Sequence, residues 1–132
     1  MERAVSEHRI VNPPELAPPS GYAHAVVAAP GRTVYLGGQT GVGDTIADQF
    51  DSAATSLLTA LRAAGGGPDD LVSLVVYATD LDEYRAAMQE LGEVWRRHFG
   101  RRYPAMGLLG VSALADPEAR VELMGVAVVT DG

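Results

Sequence analysis

A chain of 132 residues with a formal net charge of −7 and no cysteine has room for one domain with a real core, here expected to span residues 1–132. Its acidic balance argues against a nucleic-acid backbone or an anionic membrane as partner, and the lack of cysteine removes disulfides, a thiol nucleophile and thiolate metal ligation. Met1 to Arg9 are charged rather than apolar, and no run approaches the ~18 apolar residues of a membrane span, so a soluble cytoplasmic protein is expected.

Glu7 to Val11 predict a short opening strand. The run Asn12-Pro13-Pro14-Glu15-Leu16-Ala17-Pro18-Pro19 must be extended, because proline excludes helix and removes backbone donors; residues 1–20 are thus expected to form an arm that wraps rather than packs. Ala23 to Ala28 and Thr33 to Leu36 are rich in β-formers, and the intervening Ala29-Pro30-Gly31-Arg32 predicts that they pair as a hairpin. From Thr45 the apolar period becomes helical, with Phe50, Ala53, Ala54, Leu57, Leu58, Leu61 and Ala64 on one face. Thr45 and Asp48 have the spacing of a capping box, and Gly65-Gly66-Gly67-Pro68 stops the helix. Leu71 to Thr79 return to strand character. Asp80 with Glu83 caps a second helix, whose core face reads Leu81, Tyr84, Met88, Leu91 and Trp95 and which ends at Gly100.

Two apolar runs close the chain, Tyr103 to Leu114 and Ala119 to Val129. They read as strands covered on both faces. Two helices cover only one face of such a sheet, so a second copy of the chain is the simplest cover for the other, and a homo-oligomer is expected. Glu122 interrupts the more apolar run, and a carboxylate there must be paired, protonated or in use. Two readings stay open: a reactive acid, or an ion pair at a subunit interface with Arg101, Arg102 or Arg120. On the preceding strand Met106, Leu108, Gly110 and Ser112 share one face, and Ala105, Gly107, Leu109 and Val111 the other.

The remaining motifs are weak. Gly38 to Gly43 lie between a strand and a helix, as a phosphate cradle would, but fit neither the dinucleotide nor the P-loop spacing, and read as a turn. His8, His24 and His98 lack the spacing of a metal site; no metal is expected. His24 is kept as a candidate for its closeness to Tyr22. Ser20, Ser52, Ser56, Ser73 and Ser112 lack a nucleophile-elbow context, and the arginine pairs 96–97 and 101–102 read as a solvated helix end.

Taken together, Gly21-Tyr22-Ala23-His24-Ala25-Val26, Val34 to Gly41, Val76-Tyr77-Ala78-Thr79-Asp80-Leu81, Tyr103-Pro104-Ala105 and Val121-Glu122 resemble the RidA (YjgF) family of reactive-intermediate deaminases over nearly the whole chain. The resemblance implies an α+β, chorismate-mutase-like fold: a six-stranded mixed sheet with two helices on one face, assembled as a homotrimer with clefts between neighbouring subunits. It implies cofactor-free hydrolysis of enamines or imines to a 2-oxo acid and ammonia. The glutamate that positions water falls on Glu122, given a one-residue insertion near Asp116-Pro117-Glu118. The N-terminal tyrosine falls on Tyr22, and the glycine of the Ser-Gly-Gln segment on Gly38.

The arginine that would grip a substrate carboxylate is replaced by Met106, whose thioether offers no charge-assisted bond. The sequence therefore points to an arginine-lacking branch. Its expected action is hydrolysis at a C=N bond, with Glu122 catalytic and Tyr22, His24, Gly38, Met106 and Leu108 lining the substrate site. The alternative is a trimer that binds a small metabolite in the same cleft without chemistry. A ribonuclease is disfavoured by the acidic charge and by the absence of a clustered histidine–lysine site.

Overall fold

The computed structural model describes residues 7–130; the first six residues of the expected arm and the last two of the chain lie outside them. Among the described residues six strands form: β1 (Arg9–Val11), β2 (Ala25–Val27), β3 (Arg32–Thr40), β4 (Leu71–Ala78), β5 (Ala105–Gly110) and β6 (Val121–Val129). The helices are α1 (Ile46–Ala63), α2 (Leu81–Ala86) and α3 (Met88–Phe99), with a short 3-10 turn at Pro68–Asp70.

The six strands do not make one sheet. Four form a mixed sheet in the order β3-β6-β4-β5, with β6 antiparallel to both neighbours and β5 parallel to β4. β1 and β2 form a separate antiparallel pair. The expected hairpin of β2 with β3 is therefore replaced by β1–β2 and β3–β6 pairing. Loop closure explains the error: a turn signal at Pro30-Gly31 shows that the chain reverses, not which distant edge each strand finds. A single parallel bridge, Ala23 to Ala105, joins the small sheet to the edge strand β5, with the Ala23 N–H donating to Pro104 O at 2.9 Å.

The caps form as their local spacing dictates. Asp48 N–H donates to Thr45 Oγ1 at 3.0 Å, and Glu83 N–H to Asp80 Oδ1 at 3.1 Å. α1 stops where Gly65 takes φ +91° and the Gly66 N–H returns to Leu61 O, a left-handed position that glycine fills without steric cost. The second predicted helix is broken: Ala87, at φ −103° and ψ 12°, ends α2 and begins α3. Met88 consequently leaves the core face expected for it and is 55% exposed.

α1 packs on β3 and β6, and its apolar stripe meets Leu36, Leu74, Val76, Leu123 and Ala127 in one core shared with α3. Each such leucine stabilises the fold by roughly 1.5–3 kcal/mol on burial. Among the described residues no helix covers the opposite face of the sheet. Tyr35, 81% exposed, lies there with Val75, Leu109, Met124 and Val126, so the sequence's uncovered apolar face is present in the chain. Among the described residues no helix is long and apolar enough to cross a membrane.

Candidate functional site

The alternation of β6 decides where its carboxylate goes. Val121 and Leu123 turn toward the helices, whereas Glu122 is in register with Thr40 on β3 and Tyr77 on β4, and Tyr77 with Leu109 on β5. Residues paired across strands share a face. Glu122 therefore stands on the open face, half-buried, with Tyr77, Thr40 and Leu109, and its apolar sequence neighbours are not its neighbours in space.

The irregularity between Leu36 and Gln39 brings Gly38 against Glu122: a Cβ there would lie 2.8 Å from both the carboxylate carbon and Oε2. Among the described residues the Glu122 carboxylate makes no hydrogen bond or ion pair. Of the three arginines weighed as its partner, Arg120 pairs with Glu83 and donates to Asp44 O, and Arg102 donates to His8 O at 2.8 Å. Arg101 is exposed.

Met106 lies on the other side of the sheet. Its register partner is Leu74, fully buried in the core, and that of Leu108 is Val76. Both side chains therefore face α2 and α3. There they line a cavity of about 220 Å³ with Tyr22, Tyr84 and Met88. A second cavity of about 90 Å³ shares Gly21, Tyr84, Met88 and Met106 with it and extends to Leu91, Trp95 and Tyr103. Burial pushes the Tyr84 phenol up to about 12, so at neutral pH it is an uncharged donor.

Within one chain the six candidates thus separate. Glu122 and Gly38 meet on the open face; Tyr22, Met106 and Leu108 meet under the helices; His24 joins neither pair's chemistry directly. Its ring stands edge-on to Tyr22, with centroids 5.2 Å apart, and its Nε2–H donates to Ala17 O at 2.8 Å while its backbone N–H donates to Asn12 Oδ1. His24 holds the proline-rich arm against the start of β2.

The other motifs are structural. Ala29 N–H donates to His8 Nδ1 at 3.0 Å, which leaves the buried His8 Nε2–H to donate to Val128 O at 2.8 Å; the arm packs here as well as wraps. His98 Nε2 meets Asp51 Oδ1 and ties α3 to α1. In the glycine loop, Val42 N–H is spent on Ser52 Oγ, and a Cβ on Gly41 would collide with the backbone of Gln49 and Ala53. Among the described residues no group of three or more His, Asp or Glu can hold a metal ion. The sequence places Tyr84, Met88 and Trp95 on one continuous helix face; all three line the smaller cavity, and the break at Ala87 between them has no glycine or proline to announce it.

The fold and site define a small α+β protein whose polar group and apolar cavity lie on opposite faces of one mixed sheet. The Endoribonuclease L-PSP family model matches residues 13–129, and the chain belongs to that family, the RidA/YjgF family of its relatives' names. It is 29% identical to a 2-iminobutanoate/2-iminopropanoate deaminase of Dermatophagoides farinae, over 95% of this chain and 99% of that protein. It is 32% identical to the RutC family protein UK114 of Drosophila melanogaster, over 83% and 80%. Among solved structures, a Rid-family protein of unknown function from Yersinia pestis superposes with a TM-score of 0.82 at 28% identity, covering 92% of this chain and 98% of that one. A YjgF/YER057c/UK114 family member from Mycobacterium tuberculosis gives 0.66 at 32% identity, over 93% and 100%.

Proposed function

We propose that this chain hydrolyses a reactive enamine or imine as a cytoplasmic homotrimer of single-domain subunits, with no cofactor and with Glu122 directing the attacking water. The observation that carries the reading is the half-buried Glu122 carboxylate, held against Gly38 and free of partners among the described residues. A carboxylate so placed accepts a hydrogen bond from water and aims its lone pair at the C=N carbon. A C–O bond forms, nitrogen takes up a proton, and the carbinolamine collapses with C–N cleavage to a carbonyl and ammonia; an enamine first takes a proton at carbon.

Because Glu122 and Met106 occupy opposite faces, a complete site needs a second copy. A trimer supplies it if the Glu122 of one subunit faces the Met106 cavity of the next across the edge strand β5. The apolar open face with Tyr35, Leu109 and Met124 supports such an assembly. The test is the hydrolysis rate of freshly generated 2-imino acids, scored by semicarbazide competition, beside the Glu122→Gln variant. Acceleration that disappears in Glu122→Gln supports the reading. Equal acceleration in both proteins removes Glu122 from the mechanism.

Met106 favours a second reading, in which the same trimer binds a small metabolite without altering it. Among the described residues no cation lines either cavity, so a substrate carboxylate lacks its usual grip. A thermal-shift screen separates the two readings, since a pure binder is stabilised by a ligand that is recovered unchanged.

A further inference from the structure

One buried donor at the paired cavities has nothing to donate to. Trp95 is 4% exposed, and its Nε1–H has no partner among the described residues. Its ring is fixed in a stack between Phe99 and Tyr103, with centroids 4.1 and 5.3 Å away. Tyr84 is 8% exposed and lines both cavities, and its hydroxyl makes no hydrogen bond among the described residues. Native interiors rarely leave a buried donor such as the Trp95 indole unmet unless a water or ligand meets it.

The rest of the lining sets the shape and charge of an occupant. Met88 and Met106 come from opposite walls, and thioethers adapt to irregular apolar groups and to aromatic edges. Cavities of about 150 Å³ admit a benzene ring; the larger one here has about 220 Å³. Arg96, exposed on α3, has its Nη1 3.5 Å from where a Cβ on the cavity-lining Gly92 would lie. It does not line the cavity.

We infer that the paired cavities bind the phenyl-sized apolar group of an uncharged ligand, with an acceptor oxygen or nitrogen taken by the Tyr84 hydroxyl beside the Trp95 indole. This rests on the proposed imine or enamine chemistry for its metabolic sense, and narrows the substrate to a neutral imine or enamine bearing an aromatic or branched apolar group. Tyr84 is then the residue that sets specificity in place of the missing guanidinium. A neutral phenol suits that role, because it donates without demanding a counter-charge.

The experiment uses three probes on the intact protein: acetophenone, ethylbenzene and benzoate. Trp95 is the chain's one tryptophan, so its indole N–H resonance is assigned without ambiguity and reports on the site. Acetophenone is expected to shift that resonance and to bind at least tenfold tighter than benzoate. Tyr84→Phe is expected to weaken acetophenone about fivefold and leave ethylbenzene unchanged, since only the first carries an acceptor. An unmoved resonance at saturating acetophenone, benzoate binding equal to or tighter than acetophenone, or equal weakening of acetophenone and ethylbenzene by Tyr84→Phe overturns the proposal. The ranking on the unaltered protein decides the matter if Tyr84→Phe fails to fold. Binding is read without turnover, so failure of the hydrolase reading and failure of this one are separate results.

Discussion

Gly38 and Glu122 touch across the β3–β6 pair, where the carboxylate occupies space that any side chain at residue 38 would enter, with Oε2 2.8 Å from an ideal Cβ. The atoms that would give way are the far end of a flexible side chain. Gly38→Ala is therefore expected to leave stability within about 1 kcal/mol of the parent while pushing the carboxylate aside. Misplacing a catalytic group by an ångström costs about 10²-fold. The semicarbazide-competition rate should fall by that order with a urea midpoint near the parent's; an unchanged rate would show that the Glu122 position does not matter.

Leu123 and Met124 are adjacent in sequence and point to opposite faces of β6. Leu123→Ala empties a fully buried site and should cost about 2–5 kcal/mol in urea unfolding. Met124→Asp puts a charge on the open apolar face and should leave subunit folding nearly intact while shifting sedimentation velocity from assembled to monomeric. Persistence of the assembly would mean that this face is not the interface.

His8 uses both ring nitrogens, one accepting from Ala29 and one donating to Val128 O. His8→Ala removes both bonds and strands a buried carbonyl, so a loss of roughly 1–3 kcal/mol is expected. Hydrogen exchange should quicken first at Ala29 and along β1. Loss confined to sites far from the arm would count against the clamp.

Tyr84 gives an alkaline signature. Its folded pKa of about 12 exceeds its ordinary 10.0 because burial disfavours the phenolate. The unfolded chain therefore releases this proton first, and stability falls as pH rises from 10 toward 12, by up to about 1.4 kcal/mol per pH unit; below pH 10 the contribution is fully present. Urea titrations at pH 9, 10 and 11 should show a shallower decline for Tyr84→Phe than for the parent. Parallel declines would mean that the phenol titrates freely in the folded state.

A guanidinium introduced by Met106→Arg would enter the cavity beside Tyr22 and Leu108. Benzoate should then bind at least tenfold tighter than it does to the parent, since a charge-assisted pair replaces a thioether contact. Equal benzoate affinity in a folded variant would show that the side chain cannot reach the cavity.

What the sequence determined by itself is local. The Thr45–Asp48 and Asp80–Glu83 caps, the stop at Gly65 and the alternating faces of β5 are readable because each depends on residues no more than a few positions apart. The uncovered apolar face followed from counting two amphipathic helices against strands apolar on both sides. The apolar last run singled out Glu122, and the family resemblance added Gly38, Tyr22 and Met106 to it, but not their arrangement.

That arrangement is tertiary. β2 turns to β1, β3 finds β6, and His8 reaches Val128 across 120 residues, and no local spacing encodes such partners. The same pairing decides that Glu122 and Met106 face away from each other. One register step inverts a strand's faces, so only the pairing of β5 and β6 with β4 could show that the carboxylate and the apolar cavity belong to opposite sides of one sheet.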